Sequence, residues 1–414
     1  MNNKKFIRRK ILTAITTIVF VASWAGANAA GIDKARLDAI SSVTKQAVDD
    51  GKLAGIVTLV AKEGEVQLFE SHGYRDLENK TPMTEDTIFR IFSMTKPIAG
   101  TALMTLYDEG KFKLDDPVEK YIPEFKDMRV LKDGATLENL ETVAADHPMT
   151  IRELMSHTGG LVYTLGLSRG PVAELYTKEG ILDRNSTLKD MVTKMGKIPL
   201  NHQPGTQWVY SVSVDVQGYL VEALSGKSFD VYLQERIFDP LQMNDTAFYV
   251  KPEKADRLSR QYAPGQGGKL TSAENSAFLE KPSLFSGGGG LTSTASDYLK
   301  FAQMHLNEGE LNGVRILSKQ AAQLMRQNHL PDSVKSIGRG YPGNVFGLDF
   351  AVVNDSEAAD GVSEGSFWWW GIAGTWFWID PVENIIFIGM IQNRDLRYSR
   401  QLQSQVKQLM YKPL

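Results

Sequence analysis

The strongest constraint on this chain is the order in which helical and strand periodicities follow one another. After Asp33, apolar residues recur at helical spacing at Leu37, Ile40, Val43, Ala47 and Val48. Two β-type runs come next, Ile56 to Ala61 and Val66 to Glu70, and the link Lys62-Glu63-Gly64-Glu65 predicts a hairpin. From Ser93 to about residue 240 the pattern is mostly helical, with breaks near Asp133-Gly134, Gly159-Gly160 and Pro204-Gly205. The Gly- and Ser-rich stretch from Pro264 to Gly290 reads as irregular, and a helix is expected near Ser296 to Asn307. A second hairpin is expected from Thr375–Ile379 and Asn384–Gln392 around Asp380-Pro381, then a last helix from about Arg397 to Tyr411. Two ends of one character around a helical middle predict an α+β chain. One sheet domain, residues 30–92 and 291–414, would be built from both ends, with a mainly helical domain inserted over 93–290.

The first thirty residues point to a compartment. A basic stretch (Lys4, Lys5, Arg8, Arg9, Lys10) precedes an apolar run from Ile11 to Ala27, and Ala27-Asn28-Ala29 has the small-x-small form of a cleavage site. Residues 1–29 therefore read as a signal peptide, and the mature protein is expected to be periplasmic or secreted. No later segment holds 18 uninterrupted apolar residues, so no membrane span is expected after its removal. The full chain carries a formal charge of -3, and losing five basic residues makes the remainder more acidic. That excludes a basic footprint for nucleic acid. The absence of cysteine excludes disulfides, thiol nucleophiles and Cys-ligated metals. No HExxH, P-loop or dinucleotide fingerprint appears, so no metal or cofactor is expected.

Two serine chemistries compete. Gly361-Val362-Ser363-Glu364-Gly365 matches a G-x-S-x-G elbow, but a polar loop precedes it where a buried strand is needed. The six histidines are His72, His147, His157, His202, His305 and His329, so none follows Ser363, as that chain order requires. The elbow is a chance match. The S-x-x-K spacing places a lysine amine one helical turn from a serine hydroxyl, where it can take the proton. It occurs at Ser42/Lys45, Ser93/Lys96, Ser186/Lys189 and Ser404/Lys407. Ser42 and Ser404 lie inside amphipathic helices and Ser186 reads as a cap, so those lysines are expected in solvent. Ser93 differs: it follows Ile88-Phe89-Arg90-Ile91-Phe92 and precedes the apolar segment from Ile98 to Leu106. Pro97 confines Lys96 to a first helical turn. There unpaired N–H groups face a developing oxyanion, and desolvation brings a lysine toward neutrality.

Ser93-Met94-Thr95-Lys96, within I-F-R-I-F-S-M-T-K, resembles the nucleophile motif of the class C β-lactamase superfamily. Its members include DD-peptidases and, with the nearest likeness, the family VIII carboxylesterases. Three further segments resemble family motifs in the same order: Thr150 to Leu161, Pro204 to Ser211, and Gly288 to Asp297. The resemblance covers most of the mature chain and implies a β-lactamase/DD-peptidase-like fold with an antiparallel sheet. It implies that Tyr210 shuttles protons between nucleophile and leaving group, with Lys96 lowering its pKa. By the same alignment the N–H groups of Ser93 and Ala373, or that of Ile372, form the oxyanion hole. His157 then reads as a buried, hydrogen-bonded residue, since Lys96 and Tyr210 already supply proton transfer. The glycines at 287–290 read as a close backbone approach behind the site.

Two departures bear on substrate. Val212 stands where lactamases and peptidases place an amide-binding Asn. Trp370-Gly371-Ile372 stands where they place K-T-G, and Lys335-Ser336-Ile337-Gly338 lies too far upstream to replace it. Losing both groups removes recognition of β-lactams and D-Ala termini and leaves the apparatus for attacking a carbonyl. Trp370, Gly371, Ile372 and Val212 are the expected substrate-binding positions, and the other aromatics near Trp370 are expected in the core. The expected activity is hydrolysis of small carboxylic esters through a Ser93 acyl-enzyme. The alternatives are a β-lactamase or D-amino-acid peptidase with altered recognition, and a non-catalytic penicillin-binding-like protein.

Overall fold

The computed structural model describes residues 31–273 and 276–414. The leader read over residues 1–29 lies outside the described residues. Helix α1 (Lys34–Asp49) starts where the Asp33 side chain accepts the Ala35 N–H at 3.0 Å, and it buries Ile40, Thr44 and Ala47 along one stripe. Strands β1 (Gly55–Lys62) and β2 (Glu65–Asp76) meet at Glu63-Gly64, where both φ angles are positive, at 53° and 79°. A two-residue turn of that hand matches the twist of the strands it joins. β3 (Thr81–Pro82) continues the ladder.

Five strands return from the other end: β4 (Asn344–Phe346), β5 (Ala351–Val353), β6 (Phe367–Trp370), β7 (Trp376–Asp380) and β8 (Ile385–Met390). The sheet runs β4-β5-β6-β7-β8-β1-β2-β3, and each neighbouring pair is antiparallel. The long-range join is β8 on β1, in register from Val57 opposite Met390 to Lys62 opposite Ile385. The sequence did not anticipate β4 and β5, which are three residues each and too short to display a period.

Register sorts the aromatic run by face. Trp368 pairs with Trp378, and Trp378 with Phe387, whose rings stack at 4.3 Å beneath helix α5 (Leu396–Tyr411). Trp369 pairs with Phe377 on the other face, where Phe377 meets Tyr298 of helix α4 (Ala295–Leu306) at 4.8 Å. In chain order, α2 (Thr95–Asp108), buried from Thr95 through Leu106, and α3 (Ser213–Ser225), which packs along it, come between the two sets of strands. The other strand pairs of the described residues are two-stranded, among them Tyr262–Pro264 with Leu270–Ser272 in the stretch expected to be irregular. Among the described residues no helix is long and apolar enough to cross a membrane.

Candidate active site

Ser93 sits in a 3-10 turn, Phe92–Met94, that runs directly into α2. Phe92, just before it, has φ 42°, an uncommon value for a bulky residue, held here by its surroundings. The Ile91 N–H donates to Leu291 O (3.1 Å), and the Leu291 N–H donates to Thr95 Oγ1 (3.1 Å). These bonds clip the Gly-rich loop onto the Ser93 turn. From the other side comes the turn between β6 and β7. A Cβ on Gly371 would lie 2.5 Å from Ile91 O, so only glycine lets that turn approach.

Lys96 is fully buried one helical turn from Ser93, with Nζ 3.3 Å from Ser93 Oγ. The ammonium donates to Gly288 O at 2.6 Å and to Tyr163 Oη at 2.8 Å. It also lies 4.6 Å from the centre of the Tyr210 ring, whose hydroxyl is near enough to Ser93 and Tyr163 for both to bear on its protonation. Trp369 Nε1 donates to Tyr210 Oη at 3.3 Å, and the His157 ring packs 5.1 Å from the Tyr210 ring. A hydroxyl, an amine and two phenols from three separate segments thus share one cluster.

Burial sets the protonation of this cluster. It presses Lys96 down to about 7, against the opposing pull of the Asp215 and Asp349 carboxylates. The lysine is thereby an acceptor at neutral pH. Tyr210 departs from expectation: burial raises its pKa, outweighing the hydrogen bonds from Ser93 and Trp369 that lower it. The cation does not dominate because a phenolate with so little water around it costs more than one nearby charge returns. Tyr210 is therefore a neutral phenol here, a form able to pass a proton through its hydroxyl. Burial likewise holds His157 neutral, and its Nδ1 meets Ser211 Oγ at 3.0 Å, in keeping with a structural role.

Asp215 and Tyr163 escaped the sequence analysis. Asp215 enters from the first turn of α3 and accepts the Gly288 N–H at 3.1 Å and the Ser286 hydroxyl. It fixes the loop whose Gly288 carbonyl holds Lys96. A Cβ on Gly288 would stand 2.4 Å from Asp215 Oδ2, so the approach expected at residues 287–290 is found. An acid amid Val214, Val216 and Leu220 was a readable signal for Asp215. Tyr163, at the end of an apolar loop, carried none.

Ser93, Tyr163 and Tyr210 open onto a cavity of about 450 Å³ whose walls include Phe92, Leu167, Leu182, Phe278, Leu284, Trp370 and Ile372. Two guanidiniums, Arg184 and Arg400, also line it, and Arg400 lies 5.1 Å from the Trp370 ring. Trp370 and Ile372 are thus where a substrate would meet them. Gly371 does not line the cavity; it serves the close approach to Ile91. Val212 corrects the sequence reading: it is fully buried, does not line this cavity, and donates its N–H to Val162 O at 3.2 Å just before α3. Among the described residues the N–H groups of Ile372 and Ala373 have no acceptor, which leaves either able to face an oxyanion beside Ser93. Ser363 of the chance G-x-S-x-G match donates instead to Asp380 Oδ2 at 2.7 Å. Among the described residues no group of three or more His, Asp or Glu side chains is arranged to hold a metal.

The sequence profile of the family described as Beta-lactamase matches residues 40–406. This chain belongs to the β-lactamase family. Protein Rv1367c of Mycobacterium tuberculosis (strain ATCC 25618 / H37Rv) is 34% identical over 371 residues, 86% of this chain and 90% of the relative. Esterase EstB of Burkholderia gladioli is 31% identical over 363 residues, 83% of this chain and 86% of EstB. The solved structure of EstCE1, described as a hydrolase with promiscuous acyltransferase activity, superposes with a TM-score of 0.79 at 27% identity. It covers 91% of this chain and 98% of EstCE1. The α+β fold and the standing of this chain as a serine hydrolase of the β-lactamase family rest on these likenesses together.

Proposed function

We propose that this β-lactamase-family hydrolase is exported and cleaves small carboxylic esters through an acyl-enzyme on Ser93. The observation that carries the reading is the meeting of Ser93, Lys96 and Tyr210 at the mouth of a largely apolar cavity. Neutral Lys96 takes the proton of Ser93 Oγ as that oxygen bonds to the ester carbonyl carbon. The resulting oxyanion lies against the N–H groups of Ser93 and Ala373. As the tetrahedral intermediate collapses, the carbon–oxygen ester bond breaks, and the alcohol leaves with the proton returned from Lys96 through the Tyr210 hydroxyl. Water then attacks the acyl carbonyl, gives one proton to the same pair, and releases the carboxylic acid while Ser93 Oγ is reprotonated. Trp370 in place of a lysine, and Val212 buried away from the cavity, favour esters over lactams and D-Ala peptides. The esterase name of EstB points the same way.

The test is turnover of p-nitrophenyl butyrate and of nitrocefin by mature protein and by Ser93→Ala. Ester turnover that vanishes in the variant, with nitrocefin turned over far more slowly, is expected. Ester turnover unchanged in Ser93→Ala would refute the assignment, and faster turnover of nitrocefin would favour a lactamase. For the export reading, the N-terminal residue of periplasmic protein, determined by mass spectrometry, should be Ala30.

A further inference from the structure

Helix α5 carries Arg400, Gln403, Ser404 and Lys407 at spacings of three and four, which puts all four on one face. That face closes a second cavity of about 160 Å³, walled opposite by Tyr341, Asn344, Trp368 and Trp370. Tyr341, Trp370 and Arg400 line this cavity and the catalytic one alike, so the two adjoin across the Trp370 indole.

Two of the groups facing the second cavity, Lys407 and Gln403, are donors without an acceptor among the described residues. Lys407, expected in solvent, is instead only 9% exposed, with Nζ 4.1 Å above the centre of the Trp368 ring. Among the described residues its ammonium has no hydrogen bond or ion pair. Gln403 is 6% exposed, and its Nε2 has no acceptor. Arg400 lies over the Tyr341 and Trp370 rings, and among the described residues it has no carboxylate partner. The one acid in the wall, Asp360, already accepts the Gln408 side-chain amide at 2.9 Å through Oδ1. The Trp368 indole N–H is engaged by Asn344 Oδ1 at 2.7 Å, so only the ring face is offered to Lys407. A buried ammonium with one aromatic face and an unpartnered amide beside it is an incomplete arrangement. Burial draws Lys407 down to about 8, with Asp360 opposing, so it still carries charge at neutral pH.

We propose that the cavity behind Trp370 is a carboxylate subsite, in which Lys407, Gln403 and Arg400 hold the two oxygens of a small organic acid. Resting on the ester-hydrolase reading above, it makes the substrate class an ester with a second, free carboxylate reaching past Trp370; the same chemistry would accept a free dicarboxylate.

The experiment compares mono-p-nitrophenyl adipate with neutral p-nitrophenyl hexanoate, alongside calorimetric titration of free adipate into the full-length mature protein. A carboxylate carried by the substrate predicts a KM for the adipate ester about tenfold lower than for the hexanoate ester. Lys407→Met and Gln403→Leu should each remove that preference while leaving kcat and KM for the hexanoate ester unchanged. The pair keeps the test standing should one of them fail to fold. Adipate binding that both variants abolish, without any ester preference, would support the subsite and assign it to a free acid. Neither preference nor binding in the wild type overturns the proposal, as does a preference that survives both variants. If neither ester is turned over, the hydrolase reading fails, and the adipate titration alone still decides the subsite.

Discussion

Two of the four S-x-x-K spacings in this chain end with the lysine buried, and their fates differ. Lys96 is fully enclosed and meets a serine hydroxyl, a phenol and a carbonyl. Lys407 is nearly as enclosed and meets the face of a tryptophan. Ser404 is half-buried on the face that lines the second cavity, and Gln408 Nε2 donates to it at 3.3 Å; among the described residues no phenol or second amine hydrogen-bonds to it. Burial depresses both lysines, so lowered basicity alone does not make a catalytic base. What distinguishes Lys96 is that Tyr163, Tyr210 and Gly288 converge on it from distant parts of the chain.

The largest expected effect tests that contrast directly. Ser93→Ala should cost about 10³-fold or more in ester turnover, while Ser404→Ala should leave it within about twofold. A fluorophosphonate probe followed by peptide mass spectrometry should mark Ser93 and leave Ser404 bare; label on Ser404 breaks the comparison.

Proton transfer comes next. Replacing Lys96 by Arg, which stays charged, should lose about 10²- to 10⁴-fold. In the unaltered protein kcat/KM should rise with pH through about 7, because Lys96 must shed its proton before it can accept one from Ser93. An acid limb near the ordinary lysine value, above pH 10, would mean that the amine is not desolvated in solution. Tyr163→Phe should cost about tenfold, at the low end for a hydrogen bond to a reacting base. It removes an acceptor that stabilises the charged amine, so the acid limb should move to lower pH. A limb that stays in place would assign Tyr163 to packing.

The smallest effect is on stability. Lys407→Met exchanges a buried cation without an ion partner for an apolar side chain of similar length. Thermal unfolding should be unchanged or raised, by about 1 kcal/mol. A clear loss of stability would mean that the contact with Trp368 holds α5 on the sheet.

How far the sequence could be read depended on whether a signal was local. Both hairpins and the helices expected after Asp33, near Ser296 and from Arg397 lie within two residues of their expected bounds, because alternation and capping chemistry act over one or two turns; the exception is β2, which runs six residues further, to Asp76. Asp33 was legible as a cap, and Pro97 as a first-turn residue. Val212 was misplaced because a motif position does not say which way a side chain points when the residue falls at a helix entry. Trp369 was assigned to the core, and it is buried, yet its indole edge reaches Tyr210. Alternation in β6 separates Trp368 from Trp369, but only the packing of α4 and α5 decides which face meets the catalytic cluster. Lys407 was read as solvated because its helix is amphipathic, and its 9% exposure depends on Trp368, thirty-nine positions upstream.

By itself the sequence determined the α+β layout, the candidate nucleophile and its base, and the loss of the lysine that would hold a lactam carboxylate. Those follow from spacing and residue type along short stretches of chain. Tertiary structure alone decided that Tyr163 and Asp215 complete the cluster, that Tyr210 stays a neutral phenol, and that a second lysine lies behind Trp370 with no ion partner among the described residues. The reason is physical: desolvation and hydrogen-bond partnership depend on what surrounds an atom in three dimensions, and the chain brings those neighbours from segments tens to hundreds of residues away.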